Sequence, residues 1–287
     1  MVRLGTCVHS NDISTLEGKF EKLVKNGFDN CQLICWNPDS MTEENGQYVK
    51  SLCEKYGVTV SALWVGWEGP AVWNFYEGQT TLGLVPTEYR WMRVQTLCKG
   101  SDYAKAMGVS DIITHMGFIP ENPNDPNFMP FCDAVRHVAV YCKKNGQNLL
   151  FETGQETPVT LIRCFEVVGR VAYNNVFADN LGINLDTANC ILYGRANPVD
   201  SLEVFGKYVR NLHAKDGLYP TNGHDLGQET KIGEGWVDFD KLIKRLHELG
   251  FDRFITIERE ISGEQQTKDI LHAKEYLQKI IDKYYTK

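Results

Sequence analysis

The sequence has no stretch approaching the ~20 consecutive apolar residues that a membrane-spanning helix requires. It also has no block of like charges, and its net charge is −7. That sign, with no basic stripe, suits neither a nucleic-acid groove nor an anionic membrane surface, so no nucleic-acid and no membrane partner is expected. A small anionic substrate stays open, because local fields can oppose the net charge. No Walker-type phosphate loop is present; Gly233-Glu234-Gly235 is only two glycines in a loop, a weak signal. No Pro/Ser/Gly-rich linker divides the chain, so residues 1–287 read as one domain. The nine cysteines are odd in number and scattered, and the spacing of Cys31 and Cys35 has no second pair to complete a zinc site. They read as buried, reduced thiols of a cytoplasmic protein. Met1-Val2-Arg3-Leu4-Gly5 runs straight into a strand, so no signal peptide is expected.

What the chain does contain is a regular alternation. Short apolar runs at 4–8, 30–36, 58–65, 111–115 and 149–152, and three more ending at Asp186, His213 and Glu258, have the look of strands. Between and after them lie amphipathic stretches at 13–26, 41–56, 88–107, within 125–145, and at 158–169, 199–206, 239–249 and 264–284. Their expected inner faces carry Leu16, Phe20, Leu23 and Val24, then Tyr48, Val49, Leu52 and Tyr56, and later Phe239, Leu242, Ile243, Leu246 and Leu249. Strands alternating with helices imply a parallel sheet. Eight such units in 287 residues favour a closed (β/α)8 TIM barrel, an α/β fold, over an open doubly wound sheet. Two connections are long: 64–86, rich in aromatics, and 216–236, which carries His224 and Asp225. Both follow strands, so both belong to the face where barrel active sites sit.

Four of the runs end in groups that ligate metals. Glu152, Asp186, His213 and Glu258 close strands five to eight. Neighbouring parallel strands lie about 4.8 Å apart, so these side chains share one quadrant of the barrel mouth. Each acid alone is as well explained by capping the next helix or pairing with a lysine. Three carboxylates together repel, and one divalent cation held by three carboxylates and an imidazole removes that cost. Around them, His115 and Lys215 are candidate substrate contacts, and Glu156 is a candidate partner for a substrate hydroxyl or a helix cap. Trp36, Trp64 and Trp67 are candidate walls of a sugar pocket. His137, His247 and His272 fall on outer helices and read as structural.

Three segments carry a resemblance: Leu212-His213-Ala214-Lys215-Asp216-Gly217, Gly233-Glu234-Gly235-Trp236-Val237-Asp238-Phe239, and Ile257-Glu258. With Phe151-Glu152-Thr153-Gly154 and the run from Asn184 to Asn189, they resemble the xylose isomerase-like TIM-barrel superfamily, sugar phosphate isomerase/epimerase branch, which includes ketose 3-epimerases. The resemblance covers nearly the whole chain. It implies one divalent metal ion (Mn, Zn, Co or Mg) on Glu152, Asp186, His213 and Glu258. It also implies that Glu152 and Glu258 act as an acid/base pair, removing and returning a proton beside a carbonyl through a metal-stabilised enediolate. The implied substrate is a small sugar, sugar phosphate or polyol, and the implied activity is isomerisation or epimerisation. The alternative on the same metal site is an inosose-type dehydratase, a lyase. Asn189 stands where the ketose 3-epimerases have a histidine, which makes it a substrate-binding candidate. No arginine follows Lys215 before Trp236, where those enzymes carry one. Members of this branch are often dimers or tetramers, so a homo-oligomer is compatible with the resemblance.

Overall fold

Every one of the eight apolar runs forms a strand, and the eight close on themselves. In the computed structural model, which describes residues 2–285, the elements follow in chain order. They are β1 (Arg3–His9), α1 (Leu16–Lys25), β2 (Asn30–Cys35), α2 (Glu43–Tyr56), β3 (Thr59–Val65), α3 (Gly78–Thr81), α4 (Thr87–Met107) and β4 (Asp111–Thr114). Next come α5 (Phe128–Lys144), β5 (Asn148–Glu152), α6 (Pro158–Arg170), β6 (Leu181–Asp186), α7 (Thr187–Leu192), α8 (Pro198–Phe205) and β7 (Val209–Ala214). The chain finishes with β8 (Asp216–Gly217), β9 (Glu229–Thr230), α9 (Phe239–Glu248), β10 (Phe254–Ile257) and α10 (Glu264–Tyr285). The closed parallel barrel runs β1-β10-β7-β6-β5-β4-β3-β2, while β8 and β9 form a small antiparallel ribbon. This is the single (β/α)8 barrel expected from the alternation.

Period-2 alternation divides each strand between two cores. Cys31, Leu33, Cys35, Leu63, Val65, Leu149, Phe151, Leu185 and Leu212 point outward and pack with the helices. Ile34, Ala62, Trp64, Ile113 and Leu150 belong to a second cluster inside the barrel. Helix ends obey local rules. Thr42 caps α2 by accepting from the Asn45 N–H at 3.1 Å, and Gly57 closes it at φ 64°. Pro158 opens α6 behind the Thr157 cap. Among the described residues no helix is long and apolar enough to cross a membrane, and all nine cysteines are free.

Several expectations shift by a residue or a face. Val24 and Tyr48 are 41% and 38% exposed, because each sits about 100° round the helix from the buried residue beside it. Leu249 lies one residue past α9 and is also exposed. The last barrel strand stops at Ile257, although the Glu258 N–H still donates to the Ala214 carbonyl at 3.1 Å and so holds the register. α7 follows β6 with no loop at all, where only a connection was expected.

The two long connections on the mouth touch each other. The Phe75 N–H donates to the His224 carbonyl at 2.9 Å, and Asn74 bridges to Asp225. Arg93 of α4, 1% exposed, orders the first connection from beneath. Its guanidinium donates to the carbonyls of Thr81 (2.8 Å), Gly83 (2.7 Å) and Pro70 (2.9 Å). Gly83, at φ 66°, passes so close to Met116 that a Cβ would stand 2.1 Å from its carbonyl carbon.

Candidate metal and active site

Glu152, Asp186, His213 and Glu258 meet at the C-terminal mouth, with one ligand atom from each within 4.8 Å of all the others. His213 Nδ1 lies 3.2 Å from Glu152 Oε1, 3.6 Å from Asp186 Oδ2 and 3.2 Å from Glu258 Oε2. The two-residue period explains the convergence. Asp186 pairs directly with His213 across β6 and β7, and Glu152 pairs with Asn184 on the same ladder.

Three of the four candidate ligands are held by a second atom. His213 Nε2 donates to Gln32 Oε1 at 2.5 Å, which fixes the tautomer and turns Nδ1 toward the carboxylates. Asp186 caps α7: its Oδ1 accepts from the Asn189 N–H at 2.7 Å, and its Oδ2 stays free. Glu152 Oε2 accepts from the indole N–H of Trp64. Asp186 Oδ2, His213 Nδ1 and Glu258 Oε2 are buried and have no hydrogen-bond partner among the described residues. Buried polar atoms are almost always paired, so three orphans facing one point fit a divalent cation.

Burial opposes charge on these groups, and their neighbours answer it. Burial pushes Asp186 up to about 7, only partly offset by Lys215. Burial acts on Glu258 in the same direction, yet Lys215 and His213 hold it well below the usual carboxylate range. Burial would lower His213, but Glu258 and Glu152 hold it well above an ordinary histidine.

The other candidates divide into three groups. Trp36, Trp64, His115 and Asn189 line a cavity of about 860 Å³ together with Glu152 and Glu258. His115 Nε2 lies 3.6 Å from Glu152 Oε1, and burial depresses its pKa. Asn189 Nδ2 donates to Glu152 Oε1 at 3.4 Å. Trp67 stands behind this wall, 5.1 Å from Trp36 by ring centroid and stacked under Arg93, while Trp73 takes the lining position. Lys215 is buried beneath the ligands. Its ammonium lies 3.3 Å from Glu258 Oε2, 3.8 Å from Asp186 Oδ2 and 3.1 Å from Glu260 Oε1. Glu156 is 6% exposed and off the cavity wall; neither of its carboxyl oxygens has a hydrogen-bond partner among the described residues, and burial pushes it up to about 8.

Sequence reasoning missed Gln32, Trp73 and the role of Asp216. The Asp216 carboxylate accepts from the N–H groups of Gly217 (2.9 Å), Gly233, Gly235 and Val237 (3.0 Å each). A Cβ on Gly235 would stand 2.2 Å from Asp216 Oδ1. The two glycines of Gly233-Glu234-Gly235 therefore approach a carboxylate of the chain itself, and the Lys-Asp-Gly run after His213 was the available signal.

The barrel with an acid/imidazole cluster at its mouth defines a class, and comparison places the chain within it. Residues 20–280 match the model of the xylose isomerase-like TIM barrel family, and the chain belongs to that family. A crystal structure of a xylose isomerase domain protein from Planctomyces limnophilus is similar with a TM-score of 0.88 and 30% identity over 98% of both chains. A D-tagatose 3-epimerase-like protein has the same fold at a TM-score of 0.73, with 20% identity over 98% of both chains. An uncharacterised protein of Methanocaldococcus jannaschii is 25% identical over 94% of this chain and 87% of its own length.

Proposed function

We propose that the protein is a divalent-metal-dependent isomerase or epimerase of a small sugar or polyol, with Glu152 and Glu258 as its proton carriers. The observation that carries this reading is the trio of orphaned, buried ligand atoms on Asp186, His213 and Glu258 beside Glu152. Family membership and the epimerase-like name of a structural neighbour support it.

Glu152, Asp186, His213 and Glu258 would hold the ion, whose contribution when bound is Lewis-acid polarisation of a substrate carbonyl. The chain's residues do the rest. Glu152 and Glu258 both line the cavity and both lie 3.2 Å from His213, reaching it from β5 and from the end of β10. A substrate bound between them has one carboxylate on each side of its reacting carbon. One glutamate takes the proton from the carbon beside the carbonyl, and the other returns a proton. Return to the same carbon from the opposite side epimerises it; return to the adjacent carbon exchanges ketose for aldose. Trp64 and Asn189 orient Glu152 through its two oxygens. Lys215 keeps Glu258 anionic and ready to accept. Trp36, Trp64 and Trp73 present apolar faces suited to the C–H surface of a sugar and exclude water from the reacting carbon.

The test is incubation of metal-loaded protein with ketoses, inososes and their phosphates in D₂O. Deuterium at the carbon next to the carbonyl, without loss of water, is the expected result. Deuterium with loss of water selects the dehydratase. Glu152→Gln and Glu258→Gln should each fold and lose turnover, and near-normal activity in either refutes the two-base reading.

A further inference from the structure

The catalytic cavity is larger than a single sugar needs. Pockets of about 300–1,000 Å³ take drug-sized ligands, and this one, at about 860 Å³, stands near the top of that range, whereas a lone sugar falls well below drug size. The excess has a definite place. Thr6, Cys7 and Val8, consecutive on β1, all line the cavity. Successive side chains of a strand point to opposite faces. Cys7 packs against the inner cluster and Val8 belongs to the outer one, so the cavity passes over the end of β1 from the inside of the barrel to its outer face.

There it enters a seam in the ring of helices. α1 packs on α2 and α9 on α10, as do the other neighbours round the ring, but α1 and α10 barely touch. Leu23 and Phe28 line the cavity on the α1 side of this seam, and Thr267 and Ile270 on the α10 side. Lys274 closes the end remote from the mouth, where its ammonium donates to the carbonyls of Asn26 (3.2 Å) and Gly27 (2.6 Å). The seam is therefore a side groove that opens into the catalytic cavity.

Its free charge is positive. Lys19 and Lys22, one turn apart on α1, both line it, and neither forms an ion pair among the described residues. The Lys19 ammonium donates to the His9 carbonyl at 2.7 Å, at the end of β1 where the two parts of the cavity meet, and has two further N–H groups to offer. The charges on the opposite wall are engaged. Arg259 pairs with Glu229 (3.1 Å) and Asp269 (2.9 Å), and Glu260 with Lys215 (3.1 Å).

We propose that the substrate is longer than a sugar: the unit that reacts at the metal carries a second unit ending in an anionic group, a phosphate or a carboxylate, which lies in the groove between α1 and α10 against Lys19 and Lys22. The inference rests on the function proposed above and extends its substrate.

Metal-loaded full-length protein is incubated in D₂O with fructose, with lactulose, and with lactulose bearing a phosphate or a carboxylate on its galactose unit. In lactulose the fructose unit keeps its keto group, so deuterium beside that group reports turnover of every probe. kcat/KM should rise from fructose to lactulose to the charged disaccharides, and the better of the two charged forms identifies the anion. In the double variant Lys19→Gln/Lys22→Gln, the preference for a charged over the neutral disaccharide should fall about tenfold, the effect of losing a charge-assisted hydrogen bond. Ile270→Trp, which fills the groove from α10, should lower kcat/KM for the disaccharides relative to fructose. Fructose turned over as well as the charged disaccharides, or a preference for charge that survives the double variant, overturns the inference and leaves the proposed function standing. Deuterium in none of these probes and in none of the ketoses, inososes and phosphates tested for the proposed function overturns both.

Discussion

Glu156 stands four residues after Glu152, between β5 and α6, with both carboxyl oxygens unpartnered and a pKa of about 8 against an ordinary 4.5. Burial is the main cause, softened by nearby N–H groups and by Arg195. The folded-state pKa is raised, so the neutral acid contributes its full stability below about pH 4.5. That contribution is lost as pH rises toward 8, because the unfolded chain releases a proton that the folded chain keeps. Each unit costs about 1.4 kcal/mol. From 4.5 to 7 the loss is about 3 kcal/mol, and from 4.5 to 8 about 5 kcal/mol, both upper bounds for a loop that can admit water. Glu156→Gln keeps the shape of the neutral acid and removes the titration. Wild type and variant should be equally stable at pH 4, should differ by about 3 kcal/mol in favour of the variant at pH 7, and should hold a constant difference above pH 8. Urea unfolding across this range, with chelator present so that metal linkage cancels, measures it. A difference that does not change with pH, or a wild type more stable than the variant at pH 7, refutes the reasoning.

Gln32→Leu removes the acceptor from His213 Nε2 and should weaken metal retention by about 10- to 100-fold in a chelator competition, with the fold intact. Asp216→Ala strands four N–H groups around the 217–237 connection. It should cost about 2–4 kcal/mol in denaturant unfolding and expose residues 218–228 to limited proteolysis.

The parts of this protein that were legible in its sequence are those written locally. Glu152, Asp186 and His213 each terminate an apolar run, and strand adjacency in a parallel barrel carries their side chains together. Gln32 has no such signature. It sits inside β2, a polar residue in an apolar run, and 181 positions separate it from His213. Only closure of the barrel puts it beneath that ring. Arg93 carries no local signal either, since its partners are carbonyls of Thr81 and Gly83 in the connection before its helix. α7 hid because its six residues follow directly on Asp186, so one residue ends a strand, caps a helix and offers a free oxygen. The two explanations for an acid at a strand end, helix cap or ligand, need not compete at Asp186: Oδ1 makes the cap, and Oδ2 is left without a partner among the described residues.

On the proposed reading, Lys215 sets how much positive charge the candidate site would take up. Glu152, Asp186 and Glu258 bring three negative charges when ionised, and Lys215, 2% exposed and within 3.8 Å of two of them, returns one positive charge. The remainder is −2. Glu260 also touches Lys215, but its side chain is 61% exposed and solvent screens it. Without an ion, protons carry part of that remainder: His213 is held well above an ordinary histidine, and Asp186 is pushed up to about 7. A divalent ion closes the balance without protons, which leaves His213 neutral for ligation and both glutamates ionised. Lys215 is therefore part of the charge arithmetic of the ligand cluster, and its place beneath the ligands, off the cavity wall, fits that role better than contact with a substrate.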